Sequence, residues 1–543
     1  MNLLHDPWMP VRDAQGQRHW ITPDQLADPQ WLAFDADRPD FNGALAQFAI
    51  GLLQTTTPVA DGIDWRGLFN VPPSAETLRQ WFEPVAVAFE LDGDGPRFMQ
   101  DFDLGSDGVA VNDIGALLIE TPGDNAVKNN TDHFVKRSRI HALCPACAAT
   151  ALFTLQLNAP AGGAGHRTGL RGGGPLTTLV LAPAGGRLWR DLWMNVRGRP
   201  AFLAQGGDAD KIDRRYSFPW LAPISLLQAE KGELAQVQVH PAHSYWAMPR
   251  RIRLHTHEPS AGVCDGCSRT SDRMISRYST KNYGLNYKGA WDHPLSPYYE
   301  TKEGWLPLHP QPDGLGYRHW LSWVLGASTD KKSTRVASIV DRTLQLPHRQ
   351  TGGHLRLWAF GYDMDNMKAR CWYESTLPLY GLADCDRDAR QGVQAEVGRW
   401  LAAAELASQY LRGAVKDAWF SADARGEYGH VDASFWGATE APFYRQLQAL
   451  IDHTREGTEH PDLAVRQSWH ATLNRSALRL FDETFVGAGA IERQNPRRTA
   501  LAHKQLGRNL HGPKLRQALG LPVDEPAAKP ARKTPKRPPK EAA

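Results

Sequence analysis

The sequence predicts a mixed, α+β protein: a large α/β N-terminal domain over residues 1–384 and a C-terminal antiparallel four-helix bundle over residues 385–522. Three observations predict it. A chain of 543 residues exceeds what one ordinary hydrophobic core supports, so two or three domains are expected. Up to about residue 380, short apolar runs alternate with turns rich in Gly, Pro and Asn. After Asp386 the apolar residues recur at every third and fourth position over long stretches, the period of helices with one buried face.

Within the first part, GALAQFAIGLLQ (43–54) reads as a helix, and PLTTLVLAP (175–183) and ELAQVQVHP (233–241) read as strands bounded by turns. In the second part Val393, Val397, Trp400, Leu401, Ala404, Ala407, Leu411, Ala414, Val415 and Ala418 line one face of a long helix. Tyr444, Leu447, Leu450 and Ile451 mark a second, and Trp469, Leu473, Ala477, Leu480, Phe481 and Phe485 a third. A fourth runs through Leu501 and Leu510 to Leu515, with Lys504, Arg508, Lys514 and Arg516 on its other side and a break at Gly512-Pro513. Fairly short links between four amphipathic helices predict an antiparallel bundle. Its basic face is either a solvated surface or a track for nucleic acid. Residues 523–543 end in PAAKPARKTPKRPPKEAA, which lacks the apolar side chains to order itself and reads as a disordered basic tail.

Composition narrows the function classes. No apolar run approaches the roughly 18 residues that span a bilayer, so no membrane partner is expected. The opening MNLLHDPWMPVRD has no basic n-region and reaches Asp6-Pro7 before an apolar core can form, so it is not a secretory signal, and a cytoplasmic protein is expected. A net charge of only +3 implies that any contact with nucleic acid is local. The 19 tryptophans read as core and interface anchors.

Four of the six cysteines form two pairs, Cys144-Pro-Ala-Cys147 and Cys264-Asp-Gly-Cys267. Two intervening residues let one turn offer two thiolates to one metal, and two such turns complete a tetrahedral structural Zn²⁺ shell. The fold must bring pairs more than a hundred residues apart together. The other reading is separate redox or reduced thiols, since disulfides are not expected in a reducing compartment. Cys371 and Cys385 read as ordinary buried thiols. A catalytic zinc is not expected: no H-x-E element precedes Cys144, and a shell closed by four thiolates has no place for an activated water.

Residues 160–174, PAGGAGHRTGLRGGG, contain seven glycines, two arginines and a histidine. Glycine removes side chains and lets backbone approach a partner closely. The loop lacks the phosphate-cradling G-x-x-x-x-G-K-[ST], and Gly163-Ala-Gly165 is followed by a misplaced Gly169 rather than a complete dinucleotide fingerprint. Arg167 and Arg171 suit either phosphate contacts or pairing with local acids. A zinc- or nucleotide-dependent enzyme acting on nucleic acid is the alternative reading. It needs an open metal site or a cradling lysine, and neither is present.

LCPACAATALF (143–153), GGAGHRTGLRGG (162–173), CDGC (264–267), WDHPLSP (291–297), FGYDMDNMKARCW (360–372) and APFYRQ (441–446) follow one another in that order, after MNLLHDPWMPVR. This ordered set resembles the large subunit, CasA, of the type I-E CRISPR surveillance complex called Cascade, through nearly the whole chain up to the basic tail. The resemblance implies a binding subunit without turnover. Its implied partners are CRISPR RNA, double-stranded target DNA, the backbone and small subunits of Cascade, and a helicase-nuclease recruited after target binding. It implies that the chain reads the short flanking motif of the target, the PAM, through the minor groove, helps open the duplex into an R-loop and so serves antiviral defence.

Residue by residue, the resemblance assigns minor-groove contact to Gly162, Gly163, Ala164 and Gly165. It assigns a lysine finger to Lys281, with Lys288 as the other candidate. A wedge under the last PAM pair falls after Gly361-Tyr362, at Asp365, Asn366 and Met367, followed by Lys368; the family's wedge residue is glutamine, which this chain lacks there. Asp363 and Asp365 are expected to brace that turn. KNNTDHFVKR (128–137) matches a loop near the 5′ end of the guide RNA, with Lys128, Phe134 and Lys136 suited to phosphate and base contacts; a basic loop without a ligand is the other reading.

Overall fold

The computed structural model describes residues 1–523 except 134, 164, 184–186, 230, 258–259, 290, 303, 313, 330–331, 347–353, 366, 381, 421–425, 458–462 and 488–494. Phe134, Ala164, Asn366 and the tail from 524 onward therefore lie outside the described residues. The chain divides into two compact units, Met1–Arg390 and one beginning at Gln391.

The first unit is organised around α1 (Pro39–Thr56). Proline at its first turn fits a position whose N–H has no helical partner. Apolar and small residues cover nearly all of its surface, so it is buried all round. Phe48 is its centre, with the rings of Trp8, Phe89, Phe98, Phe153 and Trp246 set against it edge-on at 5.0–5.7 Å. Burial of each such ring contributes on the order of 2–3 kcal/mol before entropy is subtracted. Around this core lie α2 (Gly62–Asn70), α3 (Ala75–Phe82), α4 (Asp124–Lys128) and α5 (Pro145–Asn158), with short helices and 3-10 turns between the strands.

The described strands form small sheets. β1 (Met9–Arg12), β2 (Arg18–Ile21) and β3 (Ala33–Phe34) make one in the order β2-β1-β3. β4 (Ala110–Asp113), β5 (Thr177–Leu181), β6 (Arg251–Leu254), β7 (Gly262–Val263), β8 (Thr270–Ser271) and β9 (Arg277–Lys281) come next along the chain. β10 (Tyr298–Thr301), β11 (Gly304–Pro307), β12 (Ala327–Thr329) and β13 (Lys332–Arg335) form a four-stranded sheet, and β14 (Leu355–Asp365) and β15 (Lys368–Leu379) a long hairpin. Two three-stranded sheets position the candidate site: β4-β9-β6 and β15-β14-β5. Each of these strand pairings is antiparallel. The unit is thus mixed α+β: among the described residues its strand pairs are antiparallel, whereas "α/β" implies parallel strands joined by crossovers.

Two sequence expectations of this region meet different fates. PLTTLVLAP contains β5, buried along its length. ELAQVQVHP is not a strand: Gln236–Gln238 form a 3-10 turn. The Gln238 side chain accepts from the Ala235 N–H at 2.7 Å, Leu234 and Val239 are buried, and Val237 is 70% exposed. Its apolar alternation comes from a turn that tucks in its two ends.

The second unit is helical. Its described helices are Arg387–Trp419 (beginning just before the unit boundary), Gly429–Arg455, Leu463–Arg479 with a wider π turn at Leu480–Phe485, Pro496–Leu510 and Pro513–Ala518. The break falls at Gly512-Pro513, since proline cannot continue the preceding helix. Trp400 lies beneath Phe443, and Trp469 donates to the Trp400 carbonyl at 3.1 Å. Glu396, 1% exposed, is satisfied by both guanidinium arms of Arg466 at 2.8–2.9 Å, by Arg399 and by the Trp400 indole. A buried carboxylate is tolerated only when so paired.

Candidate nucleic-acid interface and metal centre

Cys144 caps the N-terminus of α5, and Cys147 lies in its first turn. Cys264 and Cys267 sit in the turn between β7 and β8. The four Sγ atoms lie within 4.8 Å of one another. The backbone N–H groups of Cys144 and Gly266 point at the Cys264 sulfur, at 3.2 and 3.4 Å. Asp265 in the same turn accepts from the N–H of His141 and Ala142 at 2.7 and 2.9 Å, and Leu143 and Ile275 exchange two backbone bonds. Hydrogen bonds from Cys144 first, then Cys147 and Cys267, hold Cys264 well below its ordinary value. Hydrogen bonds with Cys144 first, then Cys264 and Cys267, followed by burial, push Cys147 up. Four crowded sulfurs cannot all be thiolates without a cation among them. The cluster fits a metal ion, with every position filled by sulfur.

This clasp fixes the segment downstream of each of its halves. α5 runs into the glycine loop, and the β7–β8 turn runs into β9, which ends at Lys281. The ends of α5 and β6 are also joined: the Gln156 amide donates to the Arg250 carbonyl at 2.9 Å and accepts from its N–H at 3.0 Å.

The glycine loop and Lys281 come together. The Tyr283 N–H donates to the Gly165 carbonyl at 2.8 Å. Gly165 has φ +85°, and a Cβ there would lie 2.6 Å from the Asn282 Cβ. Any other residue would both strain the backbone and collide. Gly163 is exposed, and a Cβ on it would meet nothing within 4 Å. Arg167 and Lys231 both stand over the Tyr283 ring, at 5.7 and 5.3 Å. Arg250 donates to the Pro160 carbonyl at 2.6 Å and to the His166 ring, holding the base of the loop. Lys281 is half-buried, opposite Arg251 on β6. Lys288, by contrast, is bound to Glu233 at 2.6 Å, which neutralises it.

Arg171 corrects the sequence reading of this loop. It is 3% exposed and hydrogen-bonds Thr177, Ser296 and Gln47, so it meets neither phosphate nor a local acid. Burial pushes it down to about 10. Its role is to anchor the loop to the core.

The hairpin β14–β15 joins the same edge through β5. β5 begins at Thr177, just past the glycine loop, and Thr177 pairs with Phe360 on β14. A Cβ on Gly174, where φ is +59°, would strike the Tyr362 Cβ at 2.6 Å. The strand then continues outward to its tip. Asp363 is buried and gripped by both arms of Arg370 at 2.8–3.0 Å, so it braces the hairpin. The Tyr362 hydroxyl donates to Asp40 at 2.6 Å, with burial pushing the phenol up. Asp365 does not brace the turn: it is exposed, in register with Lys368. Met367 at the tip is 54% exposed. Cys385 is buried as expected, but Cys371 is exposed on β15.

The remaining predicted residues lie elsewhere in the unit. Lys128 ends α4 and is exposed. Lys136 pairs with Asp132 at 3.3 Å.

A family model described as CRISPR-associated protein Cse1 matches residues 2–480. The chain belongs to the Cse1 family.

Its fold is similar to Cse1 of Thermobifida fusca, at 17% identity and TM-score 0.66, covering 96% of this chain and 98% of that one. It is likewise similar to Cse1 of Acidimicrobium ferrooxidans, at 18% identity and TM-score 0.65, covering 96% and 99%. A chain of a CRISPR RNA-guided surveillance complex matches with 17% identity and TM-score 0.65, covering 94% and 99%. Cse1 proteins are non-enzymatic subunits of the Cascade surveillance complex. Among the described residues no helix is long and apolar enough to cross a membrane.

Sequence reasoning missed Arg250, Tyr283 and Lys231, which frame the glycine loop of this Cse1 chain. Pro249-Arg250-Arg251 at the head of a strand carried a faint signal for the first. Tyr283 is visible only through its neighbours, since its φ of +63° is imposed by the turn that closes on Gly165.

Proposed function

We propose that this chain reads the PAM of double-stranded target DNA from the minor groove, as the large subunit of a type I-E Cascade complex. One observation carries the reading: the Tyr283–Gly165 backbone bond, which sets the bare glycine loop beside the strand that ends in Lys281. The minor groove is only about 6 Å wide, so side chains crowd there, whereas a loop of Gly162, Gly163, Ala164 and Gly165 can bring backbone N–H and C=O groups to base edges, with Gly163 exposed. Lys281 adds one cation to that approach, and Arg167 and Lys231 suit the flanking phosphates.

The tip of the β14–β15 hairpin, at Asp365, Asn366 and Met367, is the proposed wedge. Unstacking a base step costs a few kcal/mol, which PAM contacts and guide pairing offset. Exposed Met367 suits insertion between bases. Asp365 repels phosphate and so favours keeping the tip within the duplex rather than on its backbone. Lys128, Phe134 and Lys136 are the proposed contacts to CRISPR RNA. The cluster Cys144, Cys147, Cys264 and Cys267 holds a structural Zn²⁺, which supplies a crosslink and no reaction. Residues 385–522 are the proposed four-helix bundle, and the bound complex recruits the helicase-nuclease in the cytoplasm.

The test uses a guide-loaded Cascade assembled without this subunit. Binding to matched duplexes carrying varied flanking trinucleotides is measured at fixed salt, with and without the chain. Tight binding restored for only some flanks is expected, with Lys281→Ala erasing that discrimination while guide pairing persists. Restoration of every flank equally, or of none, overturns the reading.

A further inference from the structure

Side chains two apart on a strand share a face, and so do residues directly opposed on an antiparallel neighbour. Arg251 opposes Lys281 and Arg253 opposes Ser279, so these four share one face of the β4-β9-β6 sheet. Arg277 continues the row, opposite Asp113, and His255 lies with its Nε2 2.8 Å from the Ser279 hydroxyl. Ile252, Leu254 and Tyr278 fill the buried face. A basic surface thus runs along the sheet, away from Lys281.

At its far end a cavity of about 580 Å³ opens between this face and residues 97–105, lined by Arg97, Phe102, Asp103, Arg253, His255 and His257 among others. Its size suits a nucleotide. Arg97 is 4% exposed, yet its hydrogen bonds go to the Gly93 carbonyl at 2.8 Å and the His257 ring at 2.9 Å. Arg253 donates to the carbonyls of Asp101 and Phe102 at 2.8 and 3.4 Å. The nearby acids are largely engaged elsewhere. Asp101 is committed to Arg251 at 2.5 Å, and Asp103, half exposed on the cavity wall, leans toward the same Arg251 at 3.8 Å. Asp92 is held by the Met1 amino group at 2.6 Å and by Arg273 at 3.1 Å, and with Asp94 it favours the charged form of Arg97 less than burial and Arg253 oppose it. Burial first, then the like charge of Arg253, hold Arg97 below its ordinary value. Two guanidiniums partnered by carbonyls and an imidazole leave a positive, partly dehydrated cavity suited to an anion.

We propose that this cavity is a phosphate subsite for a nucleic-acid strand: Arg97 and Arg253 hold a backbone phosphate, His257 orients Arg97, and Phe102 stacks on the adjoining base. Phe102 is 39% exposed, which leaves part of its ring open to a base. Ser279 and Lys281 are about 7 Å apart along the strand, which a polynucleotide crosses in a step or two, so one strand can pass from Lys281 into the cavity. The inference rests on reading the chain as a nucleic-acid-binding subunit, but not on the role of Lys281.

The experiment uses the full chain and a fluorescein-labelled single-stranded DNA 12-mer, with anisotropy read over a series of salt concentrations. Arg253→Gln and His257→Gln are expected to weaken binding about five- to tenfold and two- to threefold. The Arg253 variant should also flatten the log K against log salt slope by about 0.7, the value for one lost phosphate contact on a single strand. Arg97→Gln is expected to do more. If that variant melts early, the other two carry the test, because both side chains are less buried. Wild-type affinity and slope in Arg253→Gln overturn the proposal. So does displacement of the 12-mer by inorganic phosphate or dAMP as readily as by unlabelled strand, which makes the cavity a free-anion site. If Lys281→Ala loses PAM discrimination while Arg253→Gln keeps full strand affinity, this inference fails and the minor-groove reading stands. The reverse pattern leaves the subsite standing alone.

Discussion

The glycine loop with Lys281 and the 124–136 segment with Lys128 both offer cations, yet they are held by opposite means. Around Gly165 the ties reach far along the chain: Cys144 to Cys264 across 120 residues, Arg250 to Pro160 across 90. The 124–136 segment is tied within itself, by Thr131 to the Ala126 carbonyl and Lys136 to Asp132, five and four residues apart. Long-range ties fix a shape before a partner arrives, which suits reading a rigid duplex groove. Local ties let a segment adapt, which suits a flexible RNA end and carries an ordering cost on binding.

The comparison breaks most readily at the clasp. Cys264→Ser is expected to cost about 3 kcal/mol or more, lowering the melting temperature and the metal content from one equivalent per chain to none. Cys371→Ser, on the exposed face of β15, should leave both unchanged. Equal effects of the two variants, by elemental analysis and calorimetry, would remove the clasp as the brace.

Acid offers a second route to the same side. His243 is buried, with one ring nitrogen 3.0 Å from the Tyr216 carbonyl and the other 3.1 Å from the Tyr287 hydroxyl, so it supports the segment that follows Lys281. Burial pushes its pKa down to about 4. An unfolded histidine takes up its proton near pH 6.5, so the unfolded state binds more protons as pH falls. The stabilisation is therefore complete above about pH 6.5 and drains away toward pH 4, by at most about 3 kcal/mol. Thermal melts between pH 7.5 and 4.5 should be less steep in pH for His243→Gln; an unchanged slope assigns the acid sensitivity elsewhere.

Two glycines sharpen the contrast within the loop. Gly165→Ala meets a positive φ and Asn282, and is expected to cost about 1–3 kcal/mol and to erase PAM discrimination. Gly163→Ala has open space, so its stability should stay within about 0.5 kcal/mol while duplex binding still weakens. Matching melts for both variants would mean the loop is not docked. Smallest of all, Lys136→Ala should leave the melt within about 0.5 kcal/mol, since exposed ion pairs contribute little, and reduce association with guide-loaded Cascade only a few-fold.

Much of this was legible beforehand. The spacing Cys144–Cys147 and Cys264–Cys267 announces a metal because two thiolates on one turn can share an ion. The periodicity from Val393 onward announces helices because a 3.6-residue repeat buries one face. Less was legible where polar groups meet at a distance. Arg171 and Arg167 look alike in the sequence, yet one is buried among Thr177, Ser296 and Gln47 while the other lies over Tyr283. Asp363 and Asp365 are also two apart, and only Asp363 finds its arginine, because the register shifts between Asp363 and Met364.

By itself, then, the sequence determined which four cysteines pair by spacing, the helical second unit, the family and the presence of a bare basic loop. Each of these depends on residue type and short spacing. The tertiary structure alone decided which cations remain available: Lys281 and not Lys288, Arg167 and not Arg171, and Arg253 at the cavity while Arg251 beside it is neutralised. Charge is pairwise and falls off over a few ångströms, so what a cation can bind depends on which acid or carbonyl the fold sets against it.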